Sequence, residues 1–212
     1  MAEKQSSRNF YWKRYHSLSG MFILGFFIIM HFYTNSFAGL GEAAYNAKID
    51  DTLANPWLLT IEIIFLYIPL MFHLLLGLKF IFAAKYNLGS YKNLDNLRFT
   101  LQRLSGLGLA GFIGAHFYNT RVNYWLNGTP PEGWYQHMHH AFSSEWFVVP
   151  IYVLGILGVV FHLGNGLWTF TNTMGWTKGA QSQRKMKIFS MILMVVIALM
   201  GFYPLYVLTV GN

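Results

Sequence analysis

The chain has 212 residues, of which 54% are hydrophobic and only 11% charged, where soluble domains carry roughly 25% charged residues; this balance argues against an ordinary water-soluble fold. The net charge of +7 comes from basic clusters set between long apolar runs, so it reads as a topology signal and gives no reason to invoke nucleic acid. Cysteine is absent, which excludes cysteine-ligated iron–sulfur clusters, disulfides and thiolate catalysis within this chain.

Five apolar runs, 17–38, 57–84, 104–123, 146–171 and 188–210, each reach the ~20 residues a helix needs to cross a hydrocarbon core. None alternates with the period of a barrel strand. The expected fold class is all-α, with residues 1–212 forming a single membrane-anchor domain of five transmembrane helices.

The first span follows Lys4, Arg8, Lys13 and Arg14 and carries Gly20 and His31. No small-residue cleavage site accompanies it, so it is expected to stay in place. The connection 39–56 leads to the second span, which holds Glu62, Pro69, His73, Gly77 and Lys79. Glu62 is the only carboxylate well inside a span. Pro69 lacks an N–H and is expected to kink the helix ahead of His73. Lys85, Lys92, Arg98 and Arg103 fill the next connection, and the third span carries Gly106, Gly108, Gly111, Gly114 and His116. The connection 124–145 contains Thr129-Pro130-Pro131 and the cluster His137, His139 and His140; the cluster could bind a metal, but it sits in a polar loop without a defined frame and reads rather as a solvated or cofactor-shielding cap. On the fourth span Gly155, Gly158, His162 and Gly166 share one helical face, and the fifth span, after Lys178, Arg184, Lys185 and Lys187, has no histidine.

With Lys79 snorkelling to the end of its helix, thirteen of the fifteen basic residues fall on one side, and only Lys48 and Arg121 on the other. The positive-inside rule then makes the N-terminus cytoplasmic and puts the C-terminus across the membrane. The expected location is a bacterial-type cytoplasmic (inner) membrane, crossed several times.

Four histidines lie inside spans, one on each of the first four. Ionisable groups in a bilayer are costly and mark function by default. A single one could serve an interhelical hydrogen bond of about 1–2 kcal/mol; four in succession are harder to explain that way. His73 and His162 lie eleven residues from Ala84 and ten from Asn172, roughly 15–17 Å from the cytoplasmic end. His31 and His116 each lie seven residues from the outer limit of their spans, roughly 10 Å. The four therefore sort into two couples at two depths, His73 with His162 and His31 with His116. Zinc would want three or four protein ligands at one level. Two facing imidazoles suit the axial positions of a haem iron, and bundle interiors are usual cofactor sites. Glycines tracking the histidine faces are expected to admit a flat macrocycle, although small residues also serve plain helix packing.

Arg14-Tyr15-His16-Ser17, Met30-His31, Phe72-His73 with Gly77, Leu101-Gln102-Arg103, His116 with Thr120-Arg121, and above all His162-Leu163-Gly164-Asn165-Gly166-Leu167-Trp168 are the chain's most distinctive motifs. Over nearly its whole length the sequence resembles the dihaem cytochrome b subunit of succinate:quinone oxidoreductases and quinol:fumarate reductases, the five-helix, single-anchor type. The resemblance implies two haem b groups, the proximal one on His73 and His162 and the distal one on His31 and His116. It also implies a flavoprotein and an iron–sulfur subunit on the cytoplasmic side, with electrons passing between the latter and a membrane quinone, usually menaquinone. Enzyme activity would then belong to the complex, with this chain as its electron-transfer subunit. Some fumarate reductases of this type carry a glutamate two residues before the last histidine; here Val160 stands there, so no proton path is expected at that point.

His16, Ser17 and Arg103 lie where they could bind haem propionates through charge-assisted hydrogen bonds, unless they only mark the membrane boundary. Glu62, near the outer end of its span, is a candidate for quinone-linked proton transfer or a hydrogen-bonded structural acid. Two rivals are a haem-b anchor of another quinone-linked dehydrogenase or hydrogenase, and a non-haem transporter using the histidines as a proton relay.

Overall fold

The computed structural model describes residues 2–84 and 86–211, with side chains from Phe10 onward; Lys85 and the side chains of Lys4 and Arg8 lie outside the described residues. The described residues are mostly helical, and no strand occurs among them. Seven helices follow one another. Helix α1 joins Ala2–Leu18 and Gly25–Ser36 through a π turn at Ser19–Leu24. Helix α2 is Glu42–Leu53, and α3 is Leu58–Phe82 with a π turn at Ile63–Tyr67. Helix α4 runs Leu94–Phe117, a π turn Tyr118–Val122 and Asn123–Asn127. Helix α5 is Trp134–Ser144, α6 Val148–Thr173 and α7 Ala180–Val210.

Helices α1 (over Phe10–Leu40), α3, α6 and α7 are long and apolar enough to cross a membrane. Helix α4 is not among them: Asp95, Arg98, Gln102, Arg103 and His116 break its apolar run, and glycines at 106, 108, 111 and 114 stand where bulky apolar residues would. Several helices extend beyond the apolar runs: α4 begins ten residues before residue 104, and α7 eight before residue 188. Hydropathy reports only the stretch suited to hydrocarbon, whereas backbone hydrogen bonding continues into polar sequence wherever a cap supports it. At the start of α4 the Asn93 side chain accepts from the Asn96 N–H at 2.9 Å, satisfying one of the donors every helix N-terminus leaves free.

The interior is apolar and built mainly between α4, α6, α7 and the second half of α1. Phe32, Leu109, Ile156, Val159, Val160 and Ile197 are buried there. Two close crossings depend on glycine, and at a third, Gly158, a side chain would make ordinary contact. A Cβ on Gly155 would meet the Phe112 ring at 2.5 Å, one on Gly158 would meet Leu109 at 3.4 Å, and one on Gly201 would meet Ile156 and Phe32 at 3.0 Å. The outside is the reverse of a soluble protein: Phe26, Leu154 and Leu199 are 66%, 68% and 67% exposed. Apolar surface this extensive requires a nonaqueous neighbour.

The two ends differ. At one end Lys187 pairs with Asp95 at 2.8 Å, Arg98 and Lys187 sit over the Trp168 ring, and Arg14 donates to the Thr173 carbonyl at 3.5 Å. At the other, α2 and α5 lie against each other. Trp134 Nε1 donates to Asp50, the Tyr135 N–H to Asn46 and Gln136 to Glu42, at 2.7–2.9 Å. His139 Nδ1 donates to the Leu208 carbonyl at 2.9 Å, tying this cap to α7. The cap is thus helical, and the expectation of a frameless polar loop for His137, His139 and His140 is corrected: Gly133, at φ 84°, releases the chain into α5. Tyr45 of α2 is buried and donates to Asn35 Oδ1 at 3.0 Å, and that burial raises its phenol above the ordinary value.

Candidate functional site

Helices α1 and α4 run from the basic end to the capped end, and α3 and α6 return. This antiparallel arrangement brings His73 to His162, with ring centroids 6.2 Å apart and planes at 81°. His31 and His116 meet 5.7 Å apart at 79°. Two metal–imidazole bonds of about 2 Å each, with ring radii of roughly 1 Å, span about 6 Å between centroids. Each couple therefore has the separation that two imidazoles binding one iron between them would need. Among the described residues no three histidine or carboxylate side chains converge as a multi-ligand metal ion needs.

The couple nearer the basic end is held by backbone. His73 Nδ1 lies 3.0 Å from the His16 carbonyl and 3.3 Å from Ser19 Oγ. His162 Nδ1 lies 3.1 Å from the Gln102 carbonyl and 3.2 Å from Ser105 Oγ. A carbonyl only accepts, so both rings carry their proton on Nδ1 and leave Nε2 free for a metal. Gln102 braces the second ring further: its Nε2 donates to the His162 carbonyl at 2.9 Å, and its Oε1 accepts from Asn165 at 2.7 Å. That bond explains the buried asparagine of the Gly164-Asn165-Gly166 motif.

The couple nearer the cap is held differently. His116 Nδ1 lies 3.0 Å from the Tyr152 hydroxyl and its ring stacks on Phe112. His31 stacks on Phe27.

His16 stacks directly on His73, centroids 3.9 Å apart at 15°, and its Nδ1 is buried with no hydrogen-bond partner among the described residues. Arg103 lies over the Phe99 ring at 3.4 Å and donates Nη1 to the Phe99 carbonyl at 2.9 Å, but its buried Nε also has no such partner. Ser17 is half-buried nearby on α1. Buried polar atoms without partners are costly; the Arg103 Nε–H is a donor that an acidic acceptor such as a haem propionate would satisfy.

Glu62 is not alone. Its Oε2 accepts from Arg121 Nη2 at 2.6 Å and from the Tyr67 hydroxyl at 3.1 Å, while Arg121 lies over Tyr124 and Trp125. The sequence alone did not join this pair, although the signal was present: a lone acid and a lone base near the same end of neighbouring antiparallel helices.

The glycines divide by what lies against them. Gly155 and Gly158 of α6 serve packing on α4, whereas Gly20 and Gly106 give room to the His73 and His162 rings. Gly108, Gly111 and Gly114 have nothing within 4 Å of an added Cβ. The π turn of α3 ends just ahead of Pro69, whose missing N–H leaves the Phe65 carbonyl without its helical partner.

Residues 83–202 match the family of succinate dehydrogenase/fumarate reductase transmembrane subunits. Among its relatives is the succinate dehydrogenase cytochrome b558 subunit of Bacillus subtilis (strain 168), 32% identical over 200 residues, which cover 94% of this chain and 97% of that protein. The chain belongs to the succinate dehydrogenase/fumarate reductase transmembrane subunit family. It is a transmembrane subunit of an electron-transport complex, and the apolar exterior and helical architecture are those of such an anchor.

Proposed function

We propose that this chain is a dihaem cytochrome b that anchors the flavoprotein and iron–sulfur subunits of a succinate dehydrogenase/fumarate reductase complex and passes electrons between the latter and a membrane quinone, menaquinone being the expected one. It forms a single membrane-anchor domain of five spanning helices, α4 included. The N-terminus faces the cytoplasm and the C-terminus the outside, and the partner subunits meet the basic end.

The observation that carries this reading is the pairing of four membrane-depth imidazoles into two couples at axial-ligand spacing. His73 and His162 would hold the proximal haem, His31 and His116 the distal one. When bound, each haem supplies a one-electron carrier. The protein's part is to fix ring orientation, exclude water and satisfy the propionates. His16 and Arg103, each with a buried ring or guanidinium nitrogen lacking a partner among the described residues, are the propionate residues, and Ser17 adds a hydroxyl beside them. Glu62, held ready by Arg121 and Tyr67, handles protons at the quinone.

The decisive measurement is the reduced-minus-oxidised spectrum of the purified complex with haem quantified per chain. Two low-spin b haems per chain are expected. A colourless protein would overturn the reading and favour the histidine-relay transporter, and co-purification of a flavoprotein separates this complex from other quinone-linked anchors.

A further inference from the structure

The contacts around His73 and His162 repeat position by position. Residues 16–20 read His-Ser-Leu-Ser-Gly and residues 102–106 read Gln-Arg-Leu-Ser-Gly. In each, the carbonyl of the first residue faces Nδ1 of a histidine on the returning helix, at 3.0 Å and 3.1 Å. The serine in fourth position donates to that same carbonyl, at 2.9 Å and 3.1 Å, with its oxygen 3.3 Å and 3.2 Å from Nδ1. The glycine in fifth position admits the ring: a Cβ on Gly20 would lie 2.9 Å from His73 Nδ1, and one on Gly106 would lie 3.0 Å from His162 Cε1. The correspondence continues up both helices. The other histidine follows fifteen residues after His16 and fourteen after Gln102. In both cases a polar side chain one turn later returns to its carbonyl, Asn35 to His31 at 2.8 Å and Thr120 to His116 at 2.7 Å.

We infer that Leu18-Ser19-Gly20 and Leu104-Ser105-Gly106 are twin clamps that set the tautomer and rotation of the two proximal-haem imidazoles, with Ser19 and Ser105 as positioning residues, and that the distal couple is governed separately. The inference rests on the haem-ligand reading above. Each serine gives the Nδ1–H a second acceptor beside the carbonyl and prevents the ring from turning. An N–H so engaged makes the imidazole a stronger donor to iron, and partners of this kind tune metal centres. Among the described residues the distal rings have no such serine: His116 relies on Tyr152 and His31 on ring stacking.

The test uses the complete complex carrying Ser19→Ala, Ser105→Ala or both, with a spectroscopic redox titration and the low-spin EPR signals of the two haems as readouts. The expected result is an upward shift of the proximal wave, a changed proximal EPR signal reporting imidazole rotation, and an unmoved distal wave and signal. Ser105→Thr, which keeps the hydroxyl, restores the native proximal values. Gly106→Ala, whose Cβ would press on the His162 ring, loses one of the two haems. Unmoved proximal signals in the double alanine variant, equal shifts of both haems, or full haem retention in Gly106→Ala would overturn the clamp. Fewer than two haems in the unmodified complex would instead refute the underlying ligand assignment.

Discussion

At the scale of single residues, polar groups in apolar surroundings carried the information. The four histidines and Glu62 stood out as ionisable groups set inside apolar runs. What satisfies them was not legible: the acceptors for His73 and His162 are backbone carbonyls, which every residue has, and only packing decides which one a ring meets. Arg121 and Glu62 are a case between these, visible as letters but paired only by the fold. Both side chains are mostly buried, 15% and 18% exposed, so removing one partner leaves an uncompensated charge. Arg121→Gln is therefore expected to cost about 3 kcal/mol, and Glu62→Gln combined with Arg121→Gln to recover much of it, measured by thermal unfolding in detergent. In the same series Glu62→Gln alone should lower quinone-linked turnover while the haem spectrum stays unchanged. Equal melting of single and double variants would show the pair to be energetically idle, and undiminished turnover would remove Glu62 from the proton path.

At the scale of helices, the apolar runs located all five long elements but not their ends. Helix α4 shows why. Its first turns, Leu94 to Arg103, contain Asp95, Asn96, Arg98 and Gln102 and would not count as apolar by any window. They are helical because Asn93 caps them and because Gln102 faces α6. Replacing Asn93 with Ala should cost about 1 kcal/mol, while Asn93→Asp, which keeps the acceptor, should cost little; melting of the detergent-solubilised protein checks both. The π turns in α1, α3 and α4 were not foreseen either. A wide turn depends on which carbonyl loses its partner. Of the three, only the one ahead of Pro69 has a sequence signal, and that signal was read as a kink. Such turns recur at functional sites in helices, and here each lies on a helix bearing one of the paired histidines.

At the scale of the molecule, the separation of charge between the ends was plain in the sequence, and the structure adds a helical cap at the end opposite the basic cluster. The proposed orientation places α2 and α5 outside the cell. Because the chain contains no cysteine, single introduced thiols report sidedness without background. Asp51→Cys on α2 and Gln181→Cys at the start of α7 occupy exposed positions at opposite ends. In intact cells a membrane-impermeant maleimide should label the first and spare the second, with both labelled after permeabilisation. The reverse pattern would invert the topology and place the partner subunits at the cap.

The correspondence between the two Leu-Ser-Gly segments bears on how such a protein could arise. Each out-and-back helical hairpin, α1 with α3 and α4 with α6, contributes one imidazole to each couple, so neither hairpin alone can close a single coordination site. A shorter ancestral chain pairing with a copy of itself about an axis along the membrane normal would have presented all four ligands. Gene fusion would then have left the halves free to diverge, one keeping His16 where the other has Gln102, with α7 added to seal the flank.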